Sequence, residues 1–312
     1  MATHDVMDVP VDPALFEQTV SRRLVHRAAV SEVMITGWRP LDDKTSILAA
    51  QWPRTHGLYG PVGDRHDPLL VAETIRQAGL VVSHAELDCP LDRRFLMWDL
   101  SYEVNLANLA IGPGPTNLVL RFTRSQVRHR GRNLAGLRGH VDFYRDGRLV
   151  GMGDGSFDCL SEAAHDRLRA PVLAGRPAED SPLPAPVAPR LVGRDRARDI
   201  VLAPTGTEGT WLLRVDPAHP VLFDHGLDHV PGMALMEAMR QATLAIAHPL
   251  PVTPVKMYAT FDRYVELWGD CLVHARREEA PPGDDIPVRV TIEQFGAVAA
   301  AGQVFACRLL PG

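Results

Sequence analysis

Two stretches of the chain are apolar around the whole helical turn, and each carries the same few polar residues. One reads PLLVAETIRQAGLVVSH from Pro68, the other GMALMEAMRQATLAIA from Gly232. A run with no polar stripe predicts a helix buried on all sides, here over Pro68–His84 and Gly232–Ala247. Pro231 suits the helix start, where its missing N–H would be an orphan anyway and its φ is preset. Glu73 with Arg76, and Glu237 with Arg240, lie three residues apart on adjoining helix surface. Charges are costly in such surroundings, and their presence there needs a reason.

The two stretches are copies. Sliding the sequence by 164 places lays Glu73-x-x-Arg76-Gln77-Ala78 on Glu237-x-x-Arg240-Gln241-Ala242 without a gap, with Pro53 on Pro217, Asp64 on Asp228 and His84 on His248. The ends echo as well: Val141–Cys159 resembles Val290–Cys307 with one residue dropped, each a hairpin turning at a glycine, Gly147 or Gly296. Ahead of the helices, alternation predicts strands over 32–36, 46–51, 199–203 and 210–215. After the first helix it predicts strands over 96–104, 117–127, 137–145 and 148–158. One buried helix with a run of antiparallel strands implies an α+β unit whose sheet wraps the helix. Two such units can pair as a pseudo-twofold body. Residues 170–189 hold six prolines and read as an extended linker. The expected organisation is a first domain over 22–165, a linker over 166–189 and a second domain over 190–312.

Composition narrows the class. A chain of 312 residues suits two cores, and 46% hydrophobic with 23% charged residues is ordinary for a soluble globular protein. A net charge of −5 gives no general attraction to nucleic acid or an anionic membrane, and neither is expected as a partner. The start, MATHDVMDVPVDP, is acidic and lacks the apolar segment of an export signal. No run approaches the length of a transmembrane helix. Cys89, Cys159, Cys271 and Cys307 make no CxxC and no metal-ligand spacing, so they read as reduced thiols of a cytoplasmic protein. No cofactor and no metal are expected; a zinc site from His225, His229 and Asp228 lacks both cysteine and HExxH support.

Two resemblances follow. His225 to Ala238, with its Pro-Gly step and Glu237-Ala238, is similar to the active-site segment of 3-hydroxyacyl-ACP dehydratases. Their histidine lies eight residues before the proline, where this chain has Phe223. His225 and His229 lie six and two before it. A second resemblance covers nearly the whole chain. Val25-His26-Arg27 with Glu32-Val33, Gln51-Trp52-Pro53-Arg54-Thr55-His56, Ala72-Glu73-Thr74-Ile75-Arg76-Gln77-Ala78-Gly79 and Asp228-His229-Val230-Pro231-Gly232-Met233 stand in order. Together they resemble the A-factor synthase (AfsA) family, tandem hot-dog enzymes of actinomycete signalling.

The resemblance implies a double hot-dog fold and a reaction. A 3-oxoacyl chain passes from acyl carrier protein to a hydroxyl of dihydroxyacetone phosphate, and other enzymes carry the ester to a butenolide, γ-butyrolactone or furan signal. It also implies that the central helices lie close together, with substrate entering between the halves, and that Glu73, Glu237 and Arg240 are catalytic. In an apolar wall Glu237 or Glu73 is expected to have a pKa raised by desolvation, as a general base would need. N–H groups near Gly232 and Met233 suit the thioester oxyanion. Arg240, Arg76 or Arg54 offer a fork for phosphate. Gln77 and Gln241 read as polar partners of the neighbouring pair. His225, His229 and His56 are candidate acid/base or substrate-binding groups, with Asp224 or Asp228 to orient a histidine or cap the helix.

Each feature has a plainer interpretation. The Glu–Arg pairs suit structural ion pairs, and the histidines suit loop hydrogen bonding. The run Arg121–His140, with six arginines and no acid, suits either a solvated hairpin or a dock for an acidic carrier protein. Two other functions stay open: an acyl-thioester dehydratase or thioesterase, and a non-catalytic pocket that binds an acyl ligand. The first half offers Asp67-Pro68 where the second has Pro-Gly, which favours the second half for the carbonyl.

Overall fold

The computed structural model describes residues 12–177, 182–279 and 285–309. The acidic start before residue 12 and residues 178–181 of the expected linker lie outside the described residues. The chain divides into two compact units, one up to Arg169 and one from Ala170 onward.

The first unit begins with β1 (Ile35–Pro40) and β2 (Thr45–Trp52), followed by α1 (Leu69–Glu86). Strands β3 (Arg94–Val104), β4 (Thr116–Arg130), β5 (Asn133–Arg145) and β6 (Arg148–Leu160) complete it. They pair antiparallel in the order β1-β2-β4-β5-β6-β3. Helix α1 touches β1, β2, β3, β5 and β6, so the sheet curls around it. After β6 comes α2 (Glu162–Leu173), and then a single turn, α3 (Pro189–Val192).

The second unit repeats the plan. Strands β7 (Leu202–Pro204) and β8 (Thr210–Leu213) precede α4 (Gly232–Ala247). Strands β9 (Val252–Phe261), β10 (Cys271–Arg277), β11 (Asp285–Gln294) and β12 (Ala297–Arg308) follow. Their order is β9-β12-β11-β10-β8-β7, again antiparallel, with α4 against β7, β9, β10, β11 and β12. Each unit is thus a helix enclosed by its own six-stranded sheet, the hot-dog arrangement.

Both helices press against their last strand through a glycine. A Cβ on Gly153 would lie 2.6 Å from Ile75 Cδ1 of α1, and one on Gly302 would lie 2.6 Å from Met239 Sδ of α4. These glycines let an almost wholly buried helix approach the sheet backbone. Both hairpins turn as the sequence predicts, at Asp146-Gly147 and Phe295-Gly296. All four residues have positive φ, as a two-residue turn matched to strand twist requires.

Three expectations need correction. Glu32 and Asp199 do not start strands; each closes a 3-10 turn, Val30–Glu32 and Ala197–Asp199, because its carbonyl is drawn to a helix glutamine. The stretch assigned to a linker from residue 166 is helical as far as Leu173. Packing of the first unit starts before residue 22: Leu15 covers Gly37, where a Cβ would meet Leu15 Cδ2 at 2.7 Å. Among the described residues, no helix is long and apolar enough to cross a membrane.

Candidate functional site

Glu237 sits in the second turn of α4 with no exposed surface. Its Oε1 accepts from Arg194 Nε (2.8 Å), Arg240 Nη2 (2.8 Å) and Gln241 Nε2 (2.6 Å); Oε2 accepts from Arg194 Nη2 (2.8 Å) and Arg240 Nε (2.8 Å). Arg240 Nη2 also donates to the Val192 carbonyl, and Gln241 Nε2 to the Asp199 carbonyl, while Gln241 Oε1 accepts the Val201 N–H. The first unit holds the same assembly. Glu73 accepts from Arg27, Arg76 and Gln77, Arg76 reaches the Val25 carbonyl, and Gln77 ties Glu32 and Met34 to the helix. These clusters staple the segment ahead of the first strand onto the central helix.

The electrostatics overturn one expectation. Burial alone would raise the Glu237 carboxyl, as the sequence suggests. The guanidiniums of Arg194 and Arg240, with their hydrogen bonds, outweigh it and hold the group well below the usual carboxylate range. Glu73 is held down in the same way by Arg27 and Arg76. A carboxylate that accepts five hydrogen bonds and keeps its charge is a poor acceptor for a substrate proton. Arg194 lay outside the sequence reading. It is findable, because Val192-Gly193-Arg194 repeats Val25-His26-Arg27 at an offset of 167 rather than 164. The middle residue is left-handed in both copies (His26 φ 50°, Gly193 φ 62°).

The loop into α4 carries the remaining candidates. His219 Nδ1 accepts the N–H groups of Val221 (3.2 Å) and Leu222 (3.0 Å), and its Nε2 donates to Asp199 Oδ1 (3.1 Å). Farther on, Val230 N–H donates to the Val265 carbonyl (2.8 Å). Between these points His225 Nδ1 lies 3.6 Å from Asp224 Oδ2, and His229 Nδ1 lies 2.6 Å from Asp228 Oδ1. A carboxylate only accepts, so His229 carries its proton on Nδ1 and presents the lone pair of Nε2. Its ring stands edge-on to Tyr264, centroids 4.5 Å apart, and is 23% exposed. Three residues after His229, α4 begins. Its first N–H groups, on Gly232 and Met233, precede the first intrahelical bonds, which run from Ala234 and Leu235 to the Pro231 carbonyl. Dyad and helix N-terminus are therefore adjacent in the chain.

The first unit has the same frame with a different filling. His56 Nδ1 accepts from Leu58 and Tyr59, while Nε2 lies 3.2 Å from Glu32 Oε2 but out of line for a hydrogen bond. His66, two residues before Pro68 as His229 is before Pro231, is buried with Nε2 2.9 Å from Thr116 Oγ1 and its ring edge against Trp52. Of the arginines suggested for phosphate, Arg240 is buried and committed to Glu237. Arg76 keeps 21% of its side chain exposed, and Arg54 is exposed. In the arginine run, Arg121 pairs with Asp142, Arg124 with Glu86, Arg128 with Asp158 and Arg138 with Asp99. Arg130 and Arg132, at the exposed tip of the β4–β5 hairpin, form no ion pair among the described residues. Among the described residues no group of His, Cys, Asp and Glu converges in a way that would hold a metal ion.

Two histidines predict opposite pH dependences. Burial, reinforced by Arg145, pushes His66 down to about 4 from its ordinary 6.5. The unfolded chain takes that proton first, so the contribution of His66 is complete above pH 6.5 and is lost as pH falls toward 4. Hydrogen bonds from His140 to Asp142 and Asp154 raise it to about 10. Its contribution is complete below pH 6.5 and is lost as pH rises toward 10. Denaturant midpoints across pH should show His66→Gln flattening only the acid side and His140→Gln only the alkaline side. An unchanged slope on either side would refute that assignment.

Comparison with known proteins gives one consistent answer. The model of the A-factor biosynthesis hotdog domain matches residues 9–161 and again 175–309. A 2-oxo-3-(phosphooxy)propyl 3-oxoalkanoate synthase of Streptomyces virginiae is 46% identical over 88% of this chain and 93% of its own length. One of the same name from Streptomyces coelicolor is 36% identical over 92% of each. Among solved structures, the 12:0-ACP thioesterase from Umbellularia californica has a TM-score of 0.51 at 8% identity, covering 84% of this chain and 94% of that one. That likeness speaks for the fold alone. With a match in each half and relatives aligned nearly end to end, the chain belongs to the A-factor biosynthesis hotdog family.

Proposed function

We propose that this chain is a 2-oxo-3-(phosphooxy)propyl 3-oxoalkanoate synthase. It moves a 3-oxoacyl chain from a carrier-protein thioester to the hydroxyl of dihydroxyacetone phosphate, the step that commits carbon to a butenolide, γ-butyrolactone or furan signal. The observation that supports it most is its end-to-end likeness to the Streptomyces virginiae protein of that name.

His229, oriented by Asp228, takes the hydroxyl proton on Nε2 as the oxygen attacks the thioester carbonyl. The tetrahedral oxyanion is met by the first N–H groups of α4, at Gly232 and Met233, where the helix dipole adds to the attraction. Collapse of that intermediate expels the carrier thiolate and leaves the ester. Glu237, Arg240 and Gln241 hold the helix and its flanking segment in place, as Glu73, Arg76 and Gln77 do in the first unit. His225 remains a substrate-binding candidate on the same loop, while Arg240, committed to Glu237, is withdrawn as a phosphate ligand. By the 164-residue offset Arg65 stands where the second half has His229, and Asp67-Pro68 stands where it has Pro231-Gly232, so the second half is the one we expect to react.

The test is direct. Purified protein is mixed with a 3-oxoacyl thioester and dihydroxyacetone phosphate, and the phosphorylated ester is sought by mass spectrometry. Ester that requires both substrates supports the reading; free 3-oxo acid or an enoyl product replaces it with a thioesterase or a dehydratase. For the donor, Arg130 and Arg132 present positive charge to an acidic carrier protein. Arg130→Glu with Arg132→Glu should raise KM for a carrier-borne donor roughly tenfold by like-charge repulsion, and leave a small soluble thioester unaffected. Equal effects on both donors would remove the hairpin tip from docking.

A further inference from the structure

His219 is buried and uses both ring nitrogens. A nitrogen that accepts two N–H groups carries no proton, so the ring is the neutral tautomer with its hydrogen on Nε2, pointed at Asp199. The His219 carbonyl accepts from Phe223 N–H (3.0 Å), which closes the turn on itself. Residues 224–229 lie between this anchor and the bond from Val230 to Val265, and both Asp–His pairs lie within those six residues.

Asp199 is tied twice. Its side chain receives His219, and its carbonyl receives Gln241 Nε2 (2.8 Å), the same amide that donates to Glu237. One continuous set of hydrogen bonds therefore runs from the loop that carries the base to the helix that carries the oxyanion donors. Catalysis by such a pair depends on their separation, and a displacement of about 1 Å can cost about 10²-fold in rate.

We infer that His219, seated on Asp199, is a positioning residue for acyl transfer, fixing the Asp228–His229 dyad against the first turn of α4. The inference rests on the reading under Proposed function. His219 touches no reacting atom in this scheme; it acts through the loop.

Three variants separate positioning from bulk stability. His219→Ala removes both connections. In His219→Asn the amide oxygen replaces Nδ1 and still accepts the Val221 and Leu222 N–H groups. In His219→Gln the amide nitrogen can reach Asp199 but the N–H groups lose their acceptor. For the alanine variant we expect kcat to fall about 10²-fold, with KM for the thioester within about threefold, because geometry and not binding is lost. Asparagine and glutamine each keep one of the two connections, so each should recover part of kcat and neither should reach wild type. Hydrogen exchange gives a readout independent of turnover. Amides 221–230 should exchange about tenfold faster in His219→Ala, and at an intermediate rate in His219→Asn and His219→Gln, while α4 and β9–β12 stay protected.

Unchanged kcat in the folded alanine variant overturns the inference, as does protection lost evenly across the second unit. A wild-type chain that forms no ester sinks the functional reading, and the catalytic half of this inference with it. Slow exchange at 221–230 in His219→Ala sinks the anchoring half whatever the turnover.

Discussion

Replacing Glu237 with alanine is expected to cost about 3–5 kcal/mol of stability, because it strands the buried guanidiniums of Arg194 and Arg240 without their shared carboxylate. For a unit of this size that is a fall of about 10 °C in the melting temperature, followed by circular dichroism. Lost turnover should track lost fold and return when the variant is assayed well below its own transition. Glu237→Gln keeps the shape and one carbonyl oxygen but not the charge, so it should fall between. A Glu237→Ala protein that melted like wild type yet made no ester would hand the carboxylate back to the chemistry. Acid offers a second view of the same cluster. The Glu237 and Glu73 carboxyls are depressed from an ordinary 4.5, so their contribution is complete above that value and drains away as pH falls below it. Wild type should therefore lose an acid-side stability component that Glu237→Gln has already surrendered.

His229→Ala should behave in the opposite way. Removing a positioned general base costs about 10²–10⁴-fold in kcat. The melting temperature should move little, since the ring is partly exposed and its contacts are Asp228 and the edge of Tyr264. Single-turnover assays with saturating donor and dihydroxyacetone phosphate would isolate that step. Near-normal turnover in a folded His229→Ala protein would shift the proton to His225 or to water. Taken together, the two substitutions divide the helix from the loop: one residue for the frame, the other for the reaction.

Much of the frame was legible in the sequence. A helix buried on all sides leaves a run without a polar stripe, and both runs were placed to within two residues of α1 and α4. The hairpin turns were legible because a two-residue turn demands positive φ, which marks Gly147 and Gly296. The partners were less so. Arg27 lies 46 residues from Glu73, and Arg194 lies 43 from Glu237, and no local pattern reports contacts at that range. Without them the buried glutamates read as desolvated bases, since burial and ion pairing act in opposite directions and only the second needs the fold. The ion pairs of the arginine run were hidden for a related reason. The sheet sets Arg121 beside Asp142 on the next strand and brings Arg128 and Arg138 to acids two strands away, Asp158 and Asp99, and a linear charge count cannot show that. His219 went unnoticed because nothing about a lone histidine tells that both its nitrogens are spoken for.

The duplicated staple has an evolutionary reading. Since each half fastens its helix with its own glutamate, arginines and glutamine, architecture does not depend on what stands just before that helix. The stretch ahead of α1 carries Asp67-Pro68 and a buried His66, while its twin carries Pro231-Gly232 and a partly exposed, paired imidazole at His229. Heritable change can thus reshape the chemistry of one half and leave the shape of both intact.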